Sequence, residues 1–309
     1  MSAAASTAIV AAESILALTP IAIKKTPLDP MSAIWSRILS STVIGAAIVK
    51  DRTMSRKDWV AAGGLGYTNL LHIATSYEAF RNLPAGQAMS LLYTYPLWNL
   101  VFGALFIGDK IKPREYGLMG LAALGSVLLN MDPGHAAPAA SAGGKATSQP
   151  WGIFMGLMMA LTESGMNTLL RWVGWLDPAK SVLVVNAGAG AWLGGFLGLQ
   201  ALLGNVDAGV VGLRSGTWLD AAWLTAFHGI TMFSGYWLRF YAVPRLPVVL
   251  YSILSYAGLI AAYLFGLAFM GERPGWMSLL GALLILLSGV LLTVVDTAAK
   301  DTAAKKSEG

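Results

Sequence analysis

The feature that most limits how this chain can fold is a series of ten apolar blocks, each about 20 residues long. A helix of that length spans the hydrocarbon core of a bilayer, which is about 30 Å thick. Only 12% of the residues are charged, whereas soluble domains carry roughly twice that fraction. The sequence therefore predicts an all-α integral membrane protein with ten transmembrane helices. The blocks are 3–23, 30–49, 58–80, 85–107, 113–131, 151–172, 181–203, 218–241, 247–270 and 274–295.

Polar segments between the blocks predict the domain organisation. Residues 132–149 are rich in Ala, Pro, Gly and Ser, as linkers are. They separate a first five-helix unit, 1–131, from a second, 150–297, and residues 298–309 form a polar tail that we expect to be disordered and cytoplasmic. With the N-terminus placed inside, the inward connections carry about twice as many Lys and Arg as the outward ones. This bias predicts a multi-pass protein of the plasma (inner) membrane with both termini in the cytoplasm.

The two units resemble each other in sequence. One constant shift along the chain aligns Tyr93 with Tyr256, and a slightly smaller shift aligns Glu13 with Glu163. Each unit contains an odd number of helices, so the second must enter the membrane inverted relative to the first. Two inverted five-helix repeats are a transporter architecture, in which the substrate site lies near the midplane between the repeats.

Matching segment ends carry a family resemblance. Residues 82–129 contain LPAGQAMSLLYTYPLWNLVFGALFIGDKIKPREYGLMGLAALGSVLL, and residues 245–293 contain LPVVLYSILSYAGLIAAYLFGLAFMGERPGWMSLLGALLILLSGVLL. Both resemble the EamA-type carriers of the drug/metabolite transporter superfamily, in which a helix ends in Gly and an acid before a short basic turn. Asp109 stands where Glu is usual, and Leu259 stands where the first unit has Pro96. The resemblance implies the two-repeat fold and transport of a small molecule.

Three ionisable residues lie near the centres of predicted spans, where each costs about 2.5–3.5 kcal/mol or more. They are Glu13, Arg37 and Glu163. Inverted symmetry would place the two carboxylates at similar depth near the axis between the units, which suits a proton or cation site. Alternatively, the two glutamates pair with Arg37 or cap backbone breaks, and so lock the bundle together. Arg37 in turn either forms that ion pair or binds a substrate carboxylate or phosphate.

Other polar side chains on the predicted helix faces are candidates for lining a substrate pocket. Buried histidines are more often hydrogen-bonded packing residues, and tyrosines also occupy helix contacts. Three histidines and no cysteine do not favour a metal site. We expect Arg171 to extend to the headgroups, and Gly190, Gly194 and Gly198 to form a strip for close helix packing. The pocket candidates are Asn69, His72, Tyr93, Asn167, His228 and Tyr256.

These patterns favour a secondary transporter, an exporter or exchanger of a small metabolite such as an amino acid, with a proton or cation as coupling partner. The chain has no Gly-x4-Gly-Lys-Ser/Thr motif for ATP, and no Gly-x-Ser-x-Gly or His-Glu-x-x-His motif of an enzyme. We expect no nucleic-acid partner, because the basic residues separate apolar blocks instead of forming a patch on one face. We also expect no cofactor. A phosphate-ester or nucleotide-sugar carrier of the same fold, which needs several midplane cations, and a non-transporting membrane scaffold are the alternatives.

Overall fold

The computed structural model describes residues 3–51, 53–83, 85–130, 149–204, 215–270, 275–277, 279–288 and 291. Within these ranges the chain is helical and contains no strand, which confirms the predicted all-α class. The predicted linker, apart from Gln149, and the predicted tail lie outside the described residues. The helices are α1 (Ala3–Leu16), α2 (Thr19–Lys25), α3 (Pro30–Ile48), α4 (Arg56–Asn82), α5 (Ala85–Leu92), α6 (Tyr95–Phe102), α7 (Pro113–Asn130), α8 (Gln149–Trp172), α9 (Pro178–Leu202), α10 (Trp218–Ala242), α11 (Val248–Ser255), α12 (Ala257–Phe265) and α13 (Leu279–Ser288).

Side-chain caps fix where several of these helices begin. Asp29 caps α3, while α4 and α10 begin with reciprocal capping boxes, Ser55 with Asp58 and Thr217 with Asp220. Each cap satisfies backbone N–H groups that the first helical turn leaves without partners, and is worth about 1 kcal/mol. The caps therefore fix the residues at which these three helices begin.

Three of the spans are broken helices. The breaks between α1 and α2 and between α5 and α6 each lie just before a proline, Pro20 and Pro96. Proline lacks the N–H that would continue the helix, so both interruptions follow from a proline inside an apolar block and can be inferred from the sequence. The break between α11 and α12, at Tyr256, has no proline, because Leu259 stands there instead. That break was not predicted.

Short connections make successive helices run in opposite directions and define two ends of the bundle. At the first end, named the Asp58 end, Lys180 Nζ at the start of α9 donates to the Thr53 carbonyl at 2.6 Å. At the opposite end, named the Glu78 end, Trp151 Nε1 at the start of α8 donates to Glu78 Oε2 at 3.4 Å. Helix α4 therefore runs from the Asp58 end to the Glu78 end.

The most extensive packing joins helices of the first half of the chain to helices of the second. Helix α4 packs on α8 and α9, α1 on α10, and α3 on α9 and α10. A Cβ at Gly66 of α4 would lie 2.5 Å from the backbone carbon of Gly188 of α9, so these backbones nearly touch. The predicted packing strip was wrong for Gly194 and Gly198, whose Cβ positions meet no atom within 4 Å; only Gly190 meets a neighbour.

The outer surface of the bundle is apolar, while its interior holds polar groups. Large side chains such as Leu202 (87% exposed) and Leu105 (71%) point outward, whereas Asn69 and His72 on α4 are buried. This distribution suits a lipid environment rather than water. The arrangement of ten spans in two inverted repeats stays a prediction. Within the described ranges, five segments are long and apolar enough to cross a membrane: Ala3–Ile23, Pro30–Ile48, Pro150–Trp172, Pro178–Leu202 and Val248–Phe269.

Candidate functional site

Two buried carboxylates and one guanidinium meet at the centre of the bundle. Glu13 lies on α1 and Glu163 on α8, and Arg239 on α10 reaches both. Its Nη2 lies 2.7 Å from Glu13 Oε1, and its Nη1 donates to Glu163 Oε1. All three side chains are almost fully buried. We call this group the carboxylate–arginine triad; it brings the two predicted glutamates to one point.

Arg239 was not among the predicted site residues. It lies near the end of the predicted block 218–241, where an arginine usually extends to the headgroups. The available signal was its position inside an apolar block, the same signal that marked Arg37. The predicted pairing of Glu13 or Glu163 with Arg37 is wrong, because the contacts of the α10 face give that role to Arg239.

Arg37 and Arg239 lie against the same aromatic ring. Arg37 Nη2 donates to Tyr236 Oη at 2.6 Å. The Cζ atoms of Arg37 and Arg239 lie 5.5 Å and 5.4 Å from the Tyr236 ring centroid. Arg37 is only 4% exposed, and it forms no ion pair with any residue that the structure describes. It is therefore a buried cation that forms no ion pair with a carboxylate in the part of the chain that the structure describes.

His72 is a second neighbour of the Glu163 carboxylate. Its Nδ1 lies 3.4 Å from Glu163 Oε2 and 3.2 Å from the Met159 carbonyl, and its Nε2 lies 3.4 Å from Ser76 Oγ. A neutral imidazole carries one N–H, so His72 can donate from Nδ1 only when its Nε2 acts as acceptor. The row of Glu163, His72 and Ser76 follows α4 from the triad toward the Glu78 end.

A cavity of about 60 Å³ adjoins the triad and is called the central cavity. That volume exceeds the roughly 10–15 Å³ that a polar cavity needs to hold a water molecule. Ile23 near the end of α2 and Phe80 near the end of α4 are among its walls, so it extends toward the Glu78 end. Its lining consists of Glu13, Leu16, Ala17, Thr19, Pro20, Ile23, Arg37, His72, Ser76, Phe80, Met89, Leu92, Tyr93, Tyr95, Met159, Glu163, Met232, Tyr236 and Arg239.

The predicted tyrosines lie at two of the helix breaks. The rings of Tyr93 and Tyr256 are stacked, with centroids 6.3 Å apart. Tyr93 lines the central cavity, whereas Tyr256 does not. A Cβ at Gly258 would contact both Tyr93 Oη and Glu13, so the absence of a side chain there lets the Tyr93 hydroxyl approach α12. The break at Tyr256 thus borders both the cavity wall and the triad.

Three predicted pocket residues are buried outside the central cavity. His228 Nδ1 lies 3.2 Å from Ser36 Oγ, which suits a packing role. Asn69 and Asn167 are also buried, and the Asn167 amide has no hydrogen-bond partner among the described residues. None of the described residues forms a group of three His, Asp or Glu that could hold a metal ion.

Ion pairs join the two halves of the chain at the Asp58 end. Arg171 at the end of α8 binds Asp109 through both guanidinium nitrogens, with Nη2 to Oδ1 at 2.8 Å. The expectation that Arg171 extends to the headgroups is therefore wrong. Lys180 Nζ lies 3.5 Å from Asp58 Oδ2, and Trp175 Nε1 donates to Asp58 Oδ1 at 3.2 Å. We call these two ion pairs the end latch.

Comparison with known proteins adds a family and a fold. Residues 4–131 match the model of the EamA-like transporter family, which confirms the resemblance to EamA-type carriers. Among solved structures 29 chains match. One, a crystal structure of a protein, aligns with a TM-score of 0.65 and 19% identity, covering 94% of this chain and 96% of that chain; at this identity the likeness shows the fold alone. No curated protein matches the sequence. The family and the apolar helices together indicate an integral, multi-pass membrane protein.

Proposed function

We propose, from the premise that residues 4–131 match the model of the EamA-like transporter family, that this chain is a proton-coupled secondary transporter of a small metabolite. In this proposal the units 1–131 and 150–297 are inverted five-helix repeats that rock against each other around the carboxylate–arginine triad. An amino acid or a similar metabolite is the leading substrate, and transport is export or exchange.

The observation that carries the proposal is that two buried carboxylates share one guanidinium. Arg239 can neutralise one negative charge, so Glu13 and Glu163 together are best accommodated when they hold one proton between them. His72, beside Glu163, offers a path for that proton along the cavity wall. Opening the cavity to water would favour release of the proton, and closing it would favour uptake. Such a change couples proton movement to alternating access.

The position of the end latch supports alternating access. Asp109 and Asp58 belong to the first unit, whereas Arg171 and Lys180 belong to the second, so the latch holds the two units together at the Asp58 end. The central cavity extends toward the opposite, Glu78 end. With both termini in the cytoplasm, as the sequence predicts, the Asp58 end is cytoplasmic and the geometry corresponds to a carrier closed on the inside.

Glu163→Gln is the direct test of this function. The parent protein in proteoliposomes is first screened for counterflow of labelled amino acids, and uptake is then measured with an internal pH dye. Glu163→Gln keeps the shape of the side chain but removes the shared proton, so we expect concentrative, pH-dependent uptake to be lost. Glu78→Gln is the matched control, because Glu78 lies outside the central cavity. Unchanged uptake with unchanged pH dependence in Glu163→Gln would refute proton coupling at this site.

A further inference from the structure

We propose that Arg37 is the substrate-recognition residue of the central cavity and that it selects solutes carrying one carboxylate group. This inference rests on the proposed function and names the substrate class for it. It is carried by the contrast between the two arginines of the cavity. Arg239 is bound by two carboxylates, whereas among the described residues Arg37 has only the neutral Tyr236 hydroxyl as a side-chain hydrogen-bond partner.

Burial without a counter-ion makes Arg37 costly to retain as a purely structural residue. A buried charge is normally paired, since removing it from water is repaid only by an opposite charge or a full set of hydrogen bonds. Its guanidinium has five N–H donors, and the contact with Tyr236 uses one of them. The remaining N–H donors are on the Arg37 guanidinium, and Arg37 lines the central cavity. A ligand oxyanion in that cavity would supply the missing negative charge.

Tyr236 holds Arg37 in position for such a ligand. Its hydroxyl accepts the hydrogen bond from Nη2, and the guanidinium groups of Arg37 and Arg239 lie 5.5 Å and 5.4 Å from its ring centroid. A guanidinium fixed at one nitrogen keeps its fork geometry, which matches the two oxygens of a carboxylate. Both arginines thus contact the same Tyr236 side chain.

The charge balance of the cavity favours a monoanion over a dianion. The lining contains two arginines, Arg37 and Arg239, and two glutamates, Glu13 and Glu163. With one proton held by the glutamates the net charge is +1. A simple monocarboxylate such as propionate brings it to zero, and a zwitterionic amino acid leaves it at +1. A phosphate ester with two negative charges would leave an excess negative charge in a low-dielectric site. Carboxylate substrates are therefore preferred to phosphate esters.

The test is ligand binding to the purified full-length protein with pairs of solutes that differ only in charge. The pairs are propionate and propionamide, L-alanine and L-alaninamide, and L-phenylalanine and L-phenylalaninamide, with glycerol 3-phosphate as the dianion. Binding is followed by tryptophan fluorescence and thermal shift. We expect at least one carboxylate to bind and its amide to bind far more weakly. Arg37→Gln should weaken carboxylate binding by about 10- to 100-fold, and Arg37→Lys should fall between, because it keeps the charge but loses the fork.

Arg81→Gln is the matched control for loss of a guanidinium. Arg81 pairs with Glu78 and does not line the central cavity, so its replacement should leave carboxylate affinity unchanged. The inference is overturned if no carboxylate binds the parent, if the amides or glycerol 3-phosphate bind as well as the carboxylates, or if Arg37→Gln and Arg37→Lys bind like the parent. Counterflow separates this failure from that of the proposed function: a parent that carries uncharged solutes is still a transporter, whereas one that carries none is not.

Discussion

Replacing Arg239 by Gln tests the triad most severely, because that change removes the cation that contacts both buried carboxylates. Breaking a buried pair from one side costs about 3–5 kcal/mol. At roughly 2–4 °C for each kcal/mol, the melting temperature should fall by roughly 6–20 °C. The variant can instead protonate one of the glutamates. For a glutamate of ordinary pKa this costs about 3.7 kcal/mol at pH 7 but only about 1 kcal/mol at pH 5. The destabilisation of Arg239→Gln should therefore shrink as the pH is lowered, since its folded state binds more protons than its unfolded state.

Thermal unfolding in detergent, followed by tryptophan fluorescence at pH 5 and pH 7, measures this effect. The triple variant Glu13→Gln, Glu163→Gln and Arg239→Gln is the control, because three neutral side chains need no counter-ion. We expect it to recover much of the stability that Arg239→Gln loses at pH 7, while remaining inactive in transport. A single variant as stable as the parent, or a triple variant less stable than Arg239→Gln, would show that the ion pairs do not hold the bundle as the structure indicates.

Two further predictions concern how the halves of the chain are held together. Neutralising either side of the latch, by Asp109→Asn or Arg171→Gln, should lower transport several-fold, and the charge-swapped pair should recover it; a swap no better than the single variants would contradict a latch. Gly66→Ala should destabilise the protein by about 1–3 kcal/mol, because its methyl group would press on the α9 backbone. Gly64→Ala, whose Cβ meets nothing within 4 Å, is its control, and equal melting temperatures for the two variants would refute the close approach.

Part of the candidate site could be predicted because the free-energy cost of placing a charged side chain in a membrane depends on that residue and its position in the apolar block. A carboxylate in the middle of an apolar block is expensive wherever the helix packs, so Glu13 and Glu163 stood out without any structure. The prolines before the breaks at Pro20 and Pro96 act locally in the same way. The break at Tyr256 has no such local cause. The sequence around Tyr256 therefore did not predict this break.

The sequence by itself determined the helices, their apolar outward faces, two of the three breaks and the two central acids, because these depend on hydropathy and on neighbours along the chain. Only the tertiary structure decided which charge meets which: Arg239 and not Arg37 binds the glutamates, and Arg171 binds Asp109 instead of extending to the headgroups. Ion pairing depends on the rotation of each helix about its axis and on its neighbours across the bundle. Those are set by packing between residues far apart in the chain, such as the contacts of α10 with α1 and α3.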